Sequence, residues 1–300
     1  MNTVCVLMST YNGEKYLEDQ IKSVLTQDGV NVHLVVRDDG SHDRTLDILR
    51  KYKDIDIIQG TNVGPCRSFL ELIRTAPDAD YYAFCDQDDI WDEDKLKIAI
   101  EQIGLHDGHI PVMYYSNLEV VDEQLKFYRL SHDHNLEGAN KYAALMESMP
   151  TGCTIVFNKY AEQIMRNRIP DNCTMHDTWI YMVCKMLGEV IYDDHAHIKY
   201  RQHGNNVIGT SLKKNSINRY IDKFLRIFNR KLQPVYTNAL NFYNQYHDLL
   251  SEEDKGKIML IINYKKGLAD RFKLLFSKEL VASSNARNFR NRLRIILGIL

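Results

Sequence analysis

Several things are missing from this chain, and each absence closes off a class of protein. No uninterrupted apolar run approaches the ~18 residues that would predict a membrane-crossing helix. The opening MNTVCVLMS has neither a basic n-region nor a small-residue cleavage site, so it reads as an immediate strand rather than a secretory signal. Cys5, Cys66, Cys85, Cys153, Cys173 and Cys184 form no C-x-x-C pair and no dense framework. That spacing predicts reduced, mostly core thiols in a cytoplasmic protein. Internal repeats and low-complexity linkers are lacking. A glycine-rich loop with basic residues after the first strand, which a nucleotidyltransferase would need, is lacking too: STYNGEKYLED is acidic, with one early glycine. No base-reading motif accompanies the basic residues, which argues against a nucleic-acid partner.

What is present is a globular composition, 44% hydrophobic and 26% charged over 300 residues. This length suits roughly two domains at the usual ~150 residues each. The net charge of -2 hides a division. Residues 217–300 hold 16 Lys and Arg against 7 Asp and Glu, a balance of +9, while residues 1–216 hold 22 against 33, a balance of -11. An acidic body with a basic tail is the result, and a basic surface favours an anionic partner.

Apolar runs and amphipathic stretches alternate through the first half. Strands are expected at Val4–Met8, Val32–Val36, Ile55–Ile58 and Tyr81–Phe84, each followed by a helix whose apolar residues share one face. This alternation predicts parallel strands joined by crossover helices, an open α/β sheet that binds ligands beyond the carboxyl ends of its strands. Polar clusters stand at all four of those ends: Ser9–Gly13, Asp38–Ser41, Asn62–Gly64 and Asp86–Asp89. The next part is more mixed. Strands are expected at Val112–Tyr115, Leu118–Val121, Thr154–Phe157, Val190–Tyr192 and Ile198–Tyr200, with a helix after Asp177. From Ile217 the pattern becomes helical, after a boundary near residues 205–216.

Asp86-Gln87-Asp88-Asp89 places three carboxylates in four positions at the end of an apolar strand. Such groups repel one another unless a cation sits among them, and hard oxygen ligands suit Mg²⁺ or Mn²⁺. A helix N-terminus would explain Asp92, Glu93 and Asp94 equally well, but it explains Asp86 poorly. Asp38-Asp39-Gly40-Ser41 could accept hydrogen bonds from a nucleobase or ribose, or could be a turn ending in an N-cap. Asp177 could be a base, a helix cap, or both.

STYNG (9–13), DDGSxD (38–43), NxG (62–64) and DQDDIW (86–91), in this order, resemble the nucleotide-sugar-binding half of the inverting family 2 glycosyltransferases of the GT-A fold. MPTGC (149–153), HDTW (176–179) and YRQHGNNVIG (200–209) resemble the bacterial rhamnosyltransferase-like members more narrowly. The resemblance covers about residues 1–210. It implies an open mixed sheet flanked by helices, with a Rossmann-like nucleotide half at 1–110 and an acceptor half at 111–212. A basic helical region would follow at 213–300. Carried over residue by residue, it puts Thr10, Tyr11, Asn12, Asp38, Asp39, Arg67, Asp86 and Gln87 beside the donor. Asp88, Asp86 and His203 would hold Mn²⁺ or Mg²⁺, Asp177 would be the catalytic base, and Trp91, His176 and Trp179 would face the acceptor. Position 176 is His where many members have Glu.

The implied reaction transfers a sugar from a nucleotide donor, dTDP-L-rhamnose or alternatively a UDP-hexose, to a lipid-linked cell-surface polysaccharide. A non-catalytic relative that binds nucleotide or a partner is the competing reading, and the intact acidic set argues against it. The basic, aromatic tail suits a helical appendage, a homodimer contact, or attachment to an anionic membrane surface at the inner face of the cytoplasmic membrane.

Overall fold

The computed structural model describes residues 1–131, 140–171, 174–203 and 234–300. Strand β1 (Thr3–Thr10) is apolar along nearly its whole length because both its faces are covered. Val4, Val6 and Met8 point into one core, and Cys5 and Leu7 into the other. β1 pairs in parallel with β2 (Asn31–Asp38) on one side and β4 (Tyr81–Cys85) on the other, and β2 pairs in parallel with β3 (Ile55–Gln59). Helices α1 (Leu17–Leu25), α2 (Thr45–Leu49) and α3 (Pro65–Thr75) make the crossovers. α3 begins with Pro65 directly after Gly64, whose φ of 80° only glycine adopts cheaply.

The second half completes one nine-stranded sheet. It adds β5 (Ile90–Trp91), β6 (Val112–Val121), β7 (Phe127–Leu130), β8 (Val156–Asn158) and β9 (Glu189–Arg201). The order is β3-β2-β1-β4-β8-β6-β9-β5, with β7 beside β6. β8 runs antiparallel to both β4 and β6, so the sheet is mixed, as the resemblance implies. The two strand pairs expected at 112–121 and 190–200 are each a single long strand. Register shifts around Ser116, Asn117 and Glu119 mark the irregularity that made them read as two.

One core lies under α1 and α4 (Lys95–Ile103). The other lies under α3, α5 (Ala143–Met146), α6 (Lys159–Arg166) and α7 (His176–Leu187). The C-terminal helices α8 (Pro234–Tyr246), α9 (Glu252–Asn263), α10 (Leu268–Leu275) and α11 (Asn285–Leu297) join this second core. Trp179 of α7 packs edge-on against Phe242 at 6.0 Å and beside Tyr246 at 5.9 Å.

Three expectations need correction or lie outside the described residues. Cys66 is disulfide-bonded, so the thiols are not all reduced, although Cys5, Cys85, Cys153 and Cys184 are free and buried. The boundary at 205–216 and the helical stripe at 217–228 fall outside the described residues. The apolar stripe at the end of the chain does not all face one way: on α11 Phe289, Ile296 and Leu297 are exposed while Asn291 and Ile295 are buried, and Leu300 beyond it is buried too. Asn291 Nδ2 donates to the Met146 carbonyl at 3.0 Å, which fixes the rotation of α11.

Candidate active site

A cavity of about 420 Å³ opens at the carboxyl ends of β1 and β4. Tyr11, Asp39, Asp86, Gln87 and Asp88 line it from the strand ends of the first half, and Thr151, Gly152, His176, Asp177 and Tyr200 from the second half. The sheet register explains the first set. Thr10 pairs with Asp38, and Met8 with Cys85, so the DDGS and DQDD segments leave the sheet on either side of the STYNG segment that ends β1.

The carboxylates after β2 are fully occupied by the protein itself. Asp38 Oδ1 accepts from Ser41 Oγ at 2.5 Å and Thr10 Oγ1 at 3.2 Å, and Oδ2 accepts from the Gly40 and Ser41 amides. Asp39 pairs with the buried Arg37 guanidinium and accepts from the Val63 and Gly64 amides, at 3.0 Å and 2.9 Å to Oδ2. Asp39 therefore ties the β3–α3 loop to the cavity wall, and Asp38 builds the turn beneath it. Thr10 is buried with Asp38. Asn12 bridges the first two loops, donating from its amide to Ser41 Oγ and accepting from the His42 amide. Gln87 holds Tyr11 through both amide atoms, at 2.8 Å and 3.1 Å. Arg67 is not brought to this cavity: it lines a separate recess beside Arg37 and pairs with Glu71 at 2.9 Å.

The acids after β4 are in the opposite condition. Asp86 is pushed well above the ordinary carboxylate range by burial, then by Asp88 and Asp177. Asp89 is raised by burial, then by Asp88 and Asp86. Asp89 Oδ1 accepts from the Arg201 amide at 3.0 Å, while its Oδ2 has no partner among the described residues. His203 Nε2 lies 2.7 Å from Asp88 Oδ2, joining the YRQHG segment to the acidic tip, and its ring packs on Tyr16. One ligand atom each from Asp86, Asp89 and Cys153 lies within 4.8 Å of the others. Burial raises the Cys153 thiol well above its ordinary value, with Asp89 and Asp86 adding to it. A protonated thiol is a poor ligand for a hard cation, so within this group the oxygens of Asp86 and Asp89 are the donors a divalent cation would favour; Asp88, paired with His203, stands outside the group.

Asp177 sits in the first turn of α7, whose N-cap is Met175, so Asp177 is not the cap itself. Burial pushes its carboxyl up to about 6, opposed by hydrogen bonds from Thr178 and the Gly152 backbone. Thr178 contributes its amide at 2.5 Å and its hydroxyl at 3.2 Å, both to Oδ1. His176 stacks on Phe69 with ring centroids 3.8 Å apart, and burial draws it down to about 3, so it stays neutral. A side chain at Gly152 would meet His176 Nε2 at 2.7 Å, which explains glycine at that turn.

Of the aromatic residues expected at the acceptor, Trp91 and Trp179 are core residues, 2% and 1% exposed, and only His176 borders the cavity. Asp89 belongs to the acidic run at which a cation is expected, whereas Cys153 and Tyr200 carry no expected role beyond their places in the MPTGC and YRQHG segments. Lys95 was also missed. Its ammonium is buried 3.7 Å above the Trp91 ring, and burial draws it down to about 8.

Residues 5–165 match Glycosyl transferase family 2. A curated relative, the dTDP-rhamnosyl transferase RfbG of Shigella flexneri, is 27% identical over 279 residues, covering 86% of this chain and 93% of its own. The putative teichuronic acid biosynthesis glycosyltransferase TuaG of Bacillus subtilis is 35% identical over 103 residues, 33% of this chain and 40% of its own. Among solved structures, S. aureus TarS 1-349 in complex with UDP-GlcNAc superposes with a TM-score of 0.58 at 18% identity, covering 99% of this chain and 82% of that one.

Proposed function

Because the chain belongs to glycosyl transferase family 2, we propose that it is a metal-dependent inverting transferase that moves L-rhamnose from dTDP-L-rhamnose to a hydroxyl of a lipid-linked cell-surface polysaccharide. The supporting observation is the gathering of two kinds of carboxylate around one cavity: Asp86 and Asp88 from the end of β4, and Asp177 from the first turn of α7. Asp177 lies near enough to raise Asp86. Inversion needs one in-line displacement at the anomeric carbon. The acceptor oxygen bonds to that carbon as its proton passes to Asp177, and the bond to the donor diphosphate breaks. Thr178 and Gly152 fix Asp177 for this task, and burial keeps its proton affinity near working pH. Asp86 and Asp88, with His203 bonded to Asp88, would hold Mn²⁺ or Mg²⁺, which supplies positive charge for the departing diphosphate. The proposed donor rests on the RfbG relative, and the polysaccharide acceptor on RfbG and TuaG together. On this reading residues 1–212 form the catalytic domain and 213–300 a basic helical region.

Thermal stabilisation by a panel of nucleotide sugars, with and without Mn²⁺, tests the reading, since a ligand that binds the native state raises Tm. dTDP-L-rhamnose should raise it most, and only with the cation. A larger shift with a UDP-sugar would replace the donor while keeping the reaction. No shift with any member of the panel would remove the reading.

The attachment proposed for the tail draws support from α10 and α11. Leu268, Phe272 and Phe276 follow one another at helical spacing and are exposed, as are Phe289, Ile296 and Leu297. Arg271 Nη1 donates to the Ile296 carbonyl at 3.2 Å, so the two helices lie together. No helix among the described residues is long and apolar enough to cross a membrane. Co-sedimentation with anionic vesicles should fall several-fold in a variant with Phe272, Phe276 and Phe289 changed to Ser. Unchanged pelleting would leave this face to a second copy of the chain.

A further inference from the structure

A second cavity, of about 280 Å³, lies between α5, the start of α8 and one face of α11. It shares Ser148 and Thr178 with the first cavity, and the Thr178 hydroxyl is the group 3.2 Å from Asp177 Oδ1. The two spaces therefore share a wall beside the proposed base. Arg287, Arg290 and Arg294 line the second cavity, and their spacing of three and four residues puts them on one helix face. α11 contains four arginines and no acidic residue. Glu147 is the single carboxylate among the lining residues, and both its oxygens are committed. One accepts from Arg287 Nη1 at 2.5 Å and the other from the Ser283 amide.

Arg290 Nε and Ser148 Oγ are buried without a hydrogen-bond partner among the described residues. Burial, then Arg287, draws Arg290 below its ordinary range, and burial, then Arg290, does the same to Arg294. A helix that merely decorates a surface spreads its arginines toward water or pairs them with acids at the next turn. This one gathers three around a space large enough for a phosphate group and turns three large apolar residues outward instead.

We propose that the arginine-lined cavity is an anion subsite for the acceptor, taking a phosphate or diphosphate group of the acceptor while its reacting hydroxyl lies at Asp177. The inference rests on the glycosyl-transfer reading for the word acceptor, and on the cavity alone for the anion. Guanidinium groups match phosphate oxygens in pairs, and an anion would relieve the mutual repulsion of the three charges. The phosphate could come from a carrier-lipid diphosphate or from a phosphodiester within the growing chain.

The test uses the full chain with inorganic pyrophosphate as probe, in EDTA, so that binding through a divalent cation is removed. Calorimetry and thermal melting are compared for wild type, Arg290→Gln, Arg290→Lys and Asp88→Asn. Wild type and Asp88→Asn should bind alike, Arg290→Gln at least tenfold more weakly, and Arg290→Lys between them. Arg290→Gln without ligand should melt no lower than wild type, since it loses a half-buried repelling charge. Dimethyl phosphate, run beside pyrophosphate, separates the sources: a stronger response to the diester assigns a chain phosphodiester, and a stronger response to pyrophosphate a carrier diphosphate. Wild type blind to both probes, or Arg290→Gln binding as tightly as wild type, overturns the proposal. So does an Arg290→Gln protein that melts well below wild type, because the arginine would then be structural. UDP and dTDP with Mn²⁺ on the same samples keep the two readings apart. Wild type that binds neither nucleotide removes glycosyl transfer and leaves the anion site standing. Nucleotide binding without an Arg290-dependent pyrophosphate response removes the anion site alone.

Discussion

Asp38-Asp39 and Asp86–Asp89 are acidic clusters at the ends of strands two places apart in one sheet, yet they are built in opposite ways. Around Asp38 and Asp39 the protein supplies amides, hydroxyls and the Arg37 guanidinium, so that every carboxylate oxygen has a donor. Around Asp86 and Asp89 it supplies few donors, and burial and the neighbouring acids raise both carboxyls. Satisfied acids shape a wall. Crowded, buried acids store an electrostatic cost that a cation would remove. Similar sequences thus build satisfied carboxylates in one place and crowded ones in the other, and counting acidic residues does not distinguish them.

The sharpest way to break this comparison lies across the cavity, at Asp177. Asp177→Asn should cut transfer by ~10³-fold, within the usual range for removing a general base, while donor affinity stays within about twofold. The same change should raise Tm at pH 7. Asp177 is raised to about 6 in the folded protein from an ordinary 3.8, so its contribution to stability is full below pH 4 and is lost as pH rises through about 6. Replacing it should recover up to about 3 kcal/mol at neutral pH, at 1.36 kcal/mol per pKa unit. A stopped assay and a melting curve on one preparation check both. In wild type the same carboxyl should make the rate of transfer fall about tenfold per unit below pH 6, because the protonated form cannot accept the acceptor's proton. A flat rate from pH 7 to pH 5 would remove Asp177 from that role.

Asp39→Asn tests the scaffold half. It leaves the buried Arg37 charge without its partner and loosens the Val63 and Gly64 amides. Breaking a buried pair from one side costs ~3–5 kcal/mol, so chemical denaturation should show a loss of that order. By contrast, Asp86→Asn should leave stability unchanged or improved, since it removes a carboxyl whose charged form burial and its acidic neighbours disfavour. If both variants lost stability equally, the distinction between the two clusters would collapse.

Much of the sheet was legible because short, nearly continuous apolar runs and the polar residues that end them are local signals. The first four strands, their crossover helices and the polar rim all follow from such runs. The state of the rim was not legible. Nothing in DDGS tells that Arg37 turns back to Asp39, and nothing in DQDD tells that Asp89 faces Cys153 across the fold. Trp91 and Trp179 adjoin motif residues and so read as rim aromatics, but burial of their large rings against Lys95 and Phe242 sends them inward. On α11 the apolar spacing was plain, yet its direction was not, because a buried Asn291 and three arginines fix the inner face instead.

The most direct test of the central claim is calorimetric titration of dTDP and UDP into wild type and Asp88→Asn, each with Mn²⁺ and with EDTA. The acidic tip of β4 predicts tight binding only when wild type and the cation are together, with at least a tenfold loss when either is changed. Nucleotide that binds equally well in EDTA, or equally well to Asp88→Asn, would contradict it.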